Sequence, residues 1–122
     1  MNLDHICILV NNLEKSISFY KQAFDCIEKK IQALPEYGIT LASLSFPNSE
    51  VTLELIYSNN HLENKICSEF GHIGIKVEEI RDQHVKHQSI GLEVTEIENF
   101  VGIYDYYFVE DPDRYKIEII SS

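Results

Sequence analysis

Two histidines and two glutamates stand at matching places in the sequence and have the side chains to bind a metal ion. His5 and His72 each open an alternating apolar pattern that is typical of a strand. Glu54 and Glu118 each lie inside such a pattern, with aliphatic residues on both sides. A carboxylate in this setting is costly unless it is paired, protonated, exposed to water or bound to a metal. Any one of the four alone favours a surface residue, whereas the four together favour a metal site.

The spacing of these residues indicates an internal duplication. His72 follows His5 by 67 positions, and Glu118 follows Glu54 by 64 positions. Each histidine strand leads into a helical pattern, which is followed by three further strand patterns. The sequence therefore predicts two βαβββ repeats, at about residues 1–58 and about residues 70–122.

Apolar periodicity and turn residues predict the individual elements. Asn11 and Asn12 are good N-cap residues for a helix that ends near Phe24, and Gly91 suits the C-terminal end of a second helix over residues 79–90. Asp111 and Asp113 flank a proline and are expected to form a turn. The predicted strands are 3–10, 27–33, 39–46, 51–57, 70–77, 92–98, 104–110 and 115–121. The predicted fold class is α+β: one domain of residues 1–122, with eight strands in a curved cup and both helices outside.

The second helical pattern is only weakly amphipathic. Ile80, Val85 and Ile90 are its expected apolar contacts. His84 and His87 share one face of this helix at i,i+3 and could chelate an ion, but a solvated face is the expectation.

Composition excludes several classes of function. The formal net charge of −10 disfavours a nucleic-acid partner, and no apolar run approaches the length of a membrane span. The first residues begin a strand without a signal-peptide pattern. Cys7, Cys26 and Cys67 form no CxxC motif and are expected to be free thiols. We therefore expect a cytoplasmic protein.

The chemistry of the four residues points to a divalent ion. Two imidazoles and two carboxylates suit Zn²⁺, Ni²⁺, Co²⁺, Mn²⁺ or Fe²⁺ rather than a metal that prefers thiolates. Four protein ligands on a six-coordinate ion leave two positions for water or a chelating substrate. Such an ion can act as a Lewis acid on adjacent oxygens and stabilise an enediolate. Strand parity places the aliphatic neighbours of Glu54 and Glu118 toward the helices and the carboxylates on the opposite face.

The ordered motifs resemble the vicinal-oxygen-chelate superfamily, and within it the bacterial glyoxalase I (lactoylglutathione lyase) branch. The resemblance covers essentially the whole chain. Its most specific pieces are Asp4-His-Ile, Leu53-Glu-Leu55, Gly71-His-Ile-Gly-Ile75 and Phe108-Val-Glu-Asp-Pro-Asp113, followed by Tyr115-Lys-Ile-Glu118.

This resemblance implies one divalent metal ion bound by His5, Glu54, His72 and Glu118. It also implies a homodimer, with the ligands of a site drawn from one chain or from both. The implied substrate is the hemithioacetal of glutathione and methylglyoxal, which is converted to S-lactoylglutathione through an enediolate. The implied base is Glu118 or Glu54, and the choice between them is open.

Two departures from the branch bear on the substrate. Related enzymes carry an arginine late in the first strand for a glutathione carboxylate, where this sequence has Leu9. Residues 98–104 also replace a basic, glycine-rich segment.

The alternative functions are another metal-dependent member of the superfamily, such as a coenzyme A thioester epimerase or a thiol transferase, and a non-enzymatic drug-binding resistance protein. Glu54 disfavours the epimerases, which often carry glutamine there, and also the dioxygenases, which use two histidines and one glutamate.

Overall fold

The chain consists of two compact units with the same order of elements. The computed structural model describes residues 3–59 and 71–122, and the units are Met1–Ser68 and Glu69–Ser122. The first contains β1 (His5–Leu9), α1 (Leu13–Phe24), β2 (Ile27–Leu34), β3 (Ile39–Ser45) and β4 (Thr52–Ser58). The second contains β5 (Ile73–Val77), α2 (Ile80–Ser89), β6 (Glu98–Phe100), β7 (Tyr104–Glu110) and β8 (Lys116–Ser121). This confirms the predicted α+β class and the two βαβββ repeats. The single domain and the cup remain predictions.

Each unit contains one four-stranded mixed sheet. The strand order is β1-β4-β3-β2 in the first unit and β5-β8-β7-β6 in the second. The first strand of each repeat pairs in parallel with the last, and the other neighbours are antiparallel. A parallel neighbour needs a crossover connection, which the helix and the intervening strands of each repeat supply. As a result, the histidine strand lies directly beside the glutamate strand.

Helix α1 covers one face of the first sheet. The Asn12 side chain accepts a hydrogen bond from the Lys15 amide at 3.0 Å, and Asp25 ends the helix in the left-handed conformation. The buried side chains come from the apolar stripe of α1 and from alternate positions of the strands. The largest fully buried side chains of this unit are Tyr20, Leu44 and Leu55.

Helix α2 buries a histidine where an aliphatic contact was expected. His87 is fully buried, and its Nδ1 atom lies 2.7 Å from the Tyr107 hydroxyl, whereas Val85 is 64% exposed. Ile80, His84 and His87 follow one helical face at i, i+4 and i+7, and Val85 lies off that face. The expected solvated histidine face and the expected Val85 contact were therefore wrong. A histidine whose ring has a hydrogen-bond partner can pack in the core.

The sixth strand is shorter and later than expected. Residues 92–97 form no regular strand, and β6 begins at Glu98. Thr95 bridges to β7 instead, because its amide donates to the Phe108 carbonyl at 3.1 Å and its hydroxyl accepts from the Phe108 amide at 2.8 Å. A side-chain oxygen thus takes the place of a backbone partner in the ladder.

The expected turn before β8 is confirmed. Oδ1 of Asp111 accepts hydrogen bonds from the Asp113 and Tyr115 amides, each at 2.9 Å. Asp111 and Asp113 are both buried. This turn sets the point at which β8 enters the sheet, and so it positions Glu118.

The structure also bears on the expected absence of a membrane span and on the expected free thiols. Within residues 3–59 and 71–122, no helix is long and apolar enough to cross a membrane. Cys7 and Cys26 are free thiols, and Cys67 lies outside the described residues. Burial, with a smaller effect of the Asp25 charge, raises the pKa of Cys26 to about 12.

Candidate metal centre

In the first unit, strand pairing brings His5 close to Glu54. Cys7 is in register with Glu54 in the parallel pair of β1 and β4, so His5 is two residues from that position on the same strand face. The Nε2 atom of His5 lies 3.5 Å from Oε2 of Glu54. Both side chains retain solvent access, at 44% and 24% exposure.

The second unit repeats this arrangement. His72 lies just before β5, in which Gly74 is in register with Glu118. The Nε2 atom of His72 lies 3.5 Å from Oε1 of Glu118, which is the same separation as in the first unit. The ring of Phe108, which is in register with Glu118 on β7, lies edge-on to His72 with 5.9 Å between the ring centroids.

Both carboxylates point away from the helix-covered face of their sheet. Leu53 and Leu55 flank Glu54 and are buried, as are Ile117 and Ile119 on either side of Glu118. Because side chains alternate along a strand, each glutamate lies on the opposite face. The predicted parity is confirmed in both repeats.

The nitrogen–oxygen distance in each pair is suitable for two ligands of one metal ion. Ligand atoms at about 2.1 Å from one ion lie about 3.0 Å apart in octahedral geometry and about 3.4 Å apart in tetrahedral geometry. The observed 3.5 Å between nitrogen and oxygen needs only a small adjustment to reach either value. Within the described ranges there is no cluster of three or more His, Cys, Asp or Glu side chains that could hold an ion. The structure thus brings the residues together as two pairs, and the four-ligand set stays a prediction.

Asp4 orients the imidazole of His5, a role that the sequence pattern alone did not reveal. Oδ2 of Asp4 lies 2.8 Å from Nδ1 of His5, which leaves Nε2 facing Glu54. This hydrogen bond and, secondarily, the charge of Glu54 raise the pKa of His5. Metal-binding histidines commonly use such a carboxylate on the other ring nitrogen. The adjacent Asp-His dipeptide was the available signal.

Replacing Asp4 with alanine is expected to weaken metal binding about three- to tenfold at pH 8, because the imidazole loses its orienting partner. A raised pKa keeps His5 protonated to a higher pH, and a proton competes with the metal for Nε2. Asp4→Ala lowers the pKa of His5 and so weakens that competition, and the difference from the wild type should shrink as the pH falls toward 6. Equilibrium metal titrations at both pH values, with Asp82→Ala as a control on α2, measure the effect. An equal affinity at pH 8 would show that Asp4 does not support the ligand.

The two pairs have different neighbours on the carboxylate-bearing face. Cys7 and Ser43 are in register with Glu54, whereas Gly74 and Phe108 are in register with Glu118. Burial, followed by the charge of Glu54, raises the pKa of the Cys7 thiol. The first pair therefore has small polar neighbours, and the second has an aromatic ring on one side and a glycine on the other.

Comparison with known proteins shows the family of the chain. Residues 2–119 match the family model of the glyoxalase/bleomycin resistance protein/dioxygenase superfamily. The chain belongs to this superfamily. The lactoylglutathione lyase of Escherichia coli O157:H7 is 32% identical over 125 residues, which covers 99% of this chain and 93% of that protein.

Solved structures of the superfamily have the same fold. The trypanothione-dependent glyoxalase I of Leishmania major is 28% identical, with a TM-score of 0.82 over 99% of this chain and 86% of that one. An antibiotic binding protein from Streptomyces is similar in fold alone, at 16% identity and a TM-score of 0.84, covering 99% of this chain and 95% of that one. One fold thus occurs in an enzyme and in a binding protein, so the fold alone does not determine the function and the residues of the site must.

Proposed function

We propose that the protein is a metal-dependent lyase of the glyoxalase I type. Its substrate is the hemithioacetal of glutathione and methylglyoxal, and its product is S-lactoylglutathione. The observation that carries this proposal is the recurrence of one His–Glu pair in each repeat, with the same 3.5 Å separation. Full-length relatives that are lactoylglutathione lyases support the reaction class.

His5, Glu54, His72 and Glu118 would hold one divalent ion, Ni²⁺ or Zn²⁺ in the first instance. The bound ion would supply Lewis acidity to the two adjacent substrate oxygens. Two pairs, each contributing one nitrogen and one oxygen, make up the donor set. A homodimer can provide the two pairs from one chain or from both, and light scattering of the purified protein tests for the dimer.

The chain's own contribution to the chemistry is a carboxylate that moves one proton. Glu118 or Glu54 takes the proton from the carbon that bears the sulfur, and the electrons of that C–H bond form the enediolate. The same carboxyl group returns the proton to the neighbouring carbon, and the hydroxyl proton of the hemithioacetal passes to the oxygen on that neighbouring carbon, which yields the thioester. The reaction is an isomerisation without net oxidation, so one base that can exchange a proton is sufficient.

The test is a comparison of substrates on protein stripped of metal and reconstituted separately with Ni²⁺, Co²⁺ and Zn²⁺. We expect thioester formation from the glutathione–methylglyoxal hemithioacetal only in reconstituted samples. Turnover of a coenzyme A thioester or thiol transfer in its place would favour the alternative metal enzymes of the superfamily. Protein that binds no metal and turns over nothing would favour a drug-binding role.

We also propose that this enzyme works in the cytoplasm, where glutathione is abundant.

A further inference from the structure

Strand β5 presents an open path from the second His–Glu pair to a lysine. Gly74 is in register with Glu118, and Lys76 is in register with Ile120. Ile119, next to Glu118 on β8, is fully buried, so Gly74 and Lys76 lie on the same face as the carboxylate. Strand β5 is also an edge strand of its sheet.

Gly74 has no side chain that could cover the path between Glu118 and Lys76. Among residues 3–59 and 71–122, no heavy atom lies within 4 Å of the position that a Cβ atom of Gly74 would take. The equivalent position of the first repeat carries the side chain of Cys7 in register with Glu54. The space beside the carboxylate is therefore open in the second repeat and occupied in the first.

The positive charge of Lys76 is available to an anionic ligand. Its side chain is exposed, its cross-strand neighbour is the apolar Ile120, and it forms no ion pair within residues 3–59 and 71–122. Lys116 lies on the same face at the other side of Glu118, but it is in register with the carboxylate-bearing Glu110. In the first repeat, Leu9 holds the position that corresponds to Lys76. The chain has 20 acidic and 10 basic residues, so an exposed lysine without an acidic partner among the described residues, two residues along the strand from the Glu118 register position, is unusual in it.

We propose that Lys76 binds a carboxylate of the thiol portion of the substrate, which lies across Gly74. This inference rests on the proposed function and names the anion anchor for it. Two residues of strand span about 7 Å. A substrate carboxylate about 7 Å from the reacting carbons can therefore contact the Lys76 ammonium group. The two substrate oxygens on those carbons then stay beside the His72–Glu118 pair. The ligand class is a thiol adduct with a free carboxylate, of which the glutathione adduct is one.

The test is a comparison of Lys76→Met with the wild type on two substrates. One is the glutathione–methylglyoxal hemithioacetal, and the other is the same adduct of glutathione diethyl ester, in which both carboxylates are masked. We expect Lys76→Met to raise KM for the free acid about tenfold, with kcat within about twofold, because one charge-assisted contact is lost. The diester should respond less than about twofold. Lys76→Arg, which keeps the charge, should remain within about threefold of the wild type on both.

Two further variants make the result specific. Lys21→Met removes the same charge from α1, which packs on the face of the first sheet opposite Glu54, and should leave KM unchanged. Gly74→Val should raise KM for the free acid and the diester alike, because it fills the path without removing charge. Equal KM values for Lys76→Met and Lys21→Met, or equal sensitivity of the two substrates to Lys76→Met, would overturn the inference.

A binding measurement separates this inference from the proposed function. Absence of turnover of the free-acid adduct by the wild type would contradict the proposed function. Calorimetric titration of the metal-loaded protein with glutathione and with its diethyl ester would then decide the role of Lys76. The inference requires that the wild type prefer the free acid about tenfold and that Lys76→Met lose this preference. A wild type without preference would overturn it.

Discussion

Glu118→Gln is expected to lower kcat by at least about a hundredfold, and Glu54→Gln is expected to do the same. Glutamine keeps the shape of each side chain but removes both the negative charge and the basic oxygen. A positioned general base contributes about 10²- to 10⁴-fold to such a reaction. The other carboxylate is needed as a metal ligand, so its loss also removes the Lewis acid. Turnover of the hemithioacetal at saturating substrate measures both effects.

A control is needed to show that each variant still folds. Glu110→Gln makes the same chemical change on the same face of the second sheet, and we expect its kcat to stay within about twofold of the wild type. In metal-free samples, circular dichroism and thermal unfolding should be unchanged for all three variants, because none of these carboxylates belongs to the buried core. Near wild-type turnover in Glu54→Gln or in Glu118→Gln would refute the assigned ligand set.

Asp111→Ala is expected to lower the free energy of unfolding by about 2–4 kcal/mol. The carboxylate accepts hydrogen bonds from two backbone amides within a buried turn, and hydrogen bonds to a charged group contribute about 1.5–3 kcal/mol each. The alanine variant leaves both amides without this acceptor, and the two losses are not additive. Urea denaturation followed by circular dichroism measures the change.

Asp111→Asn is the matched control for this turn. The asparagine Oδ1 atom can accept the same two hydrogen bonds without the charge, so we expect less than half of the alanine effect. Because the turn sets the start of β8, Asp111→Ala should also weaken metal binding through Glu118. Unfolding free energies equal to that of the wild type would show that backbone contacts alone determine the turn.

The sequence was sufficient to locate each half of the candidate site. Alternation in strands and the 67-residue offset placed His5 and His72, and the aliphatic neighbours of Glu54 and Glu118 determined the face of each carboxylate. These signals are local and are repeated, so two copies supported each other. Neighbours that come from another strand, such as Phe108 beside Glu118, depend on pairing register, which local patterns specify weakly.

Tertiary contacts overrode local preference at two places. His87 is buried because a hydrogen bond to Tyr107 compensates its polar ring, and no periodic pattern encodes that partner. The segment before β6 lost its predicted strand because the Thr95 side chain bonds to β7. The proposed binding of one ion by both His–Glu pairs would likewise depend on contacts that strand periodicity does not encode.

Activity during a metal titration tests the central claim most directly. Metal-free protein would be titrated with Ni²⁺, and both bound ion and thioester formation would be measured at each step. We expect no turnover without metal, a linear rise of activity with added ion, and a plateau at one ion per chain, because each site needs two His–Glu pairs. Full turnover in the metal-free protein, or a plateau at two ions per chain, would contradict a single four-ligand centre.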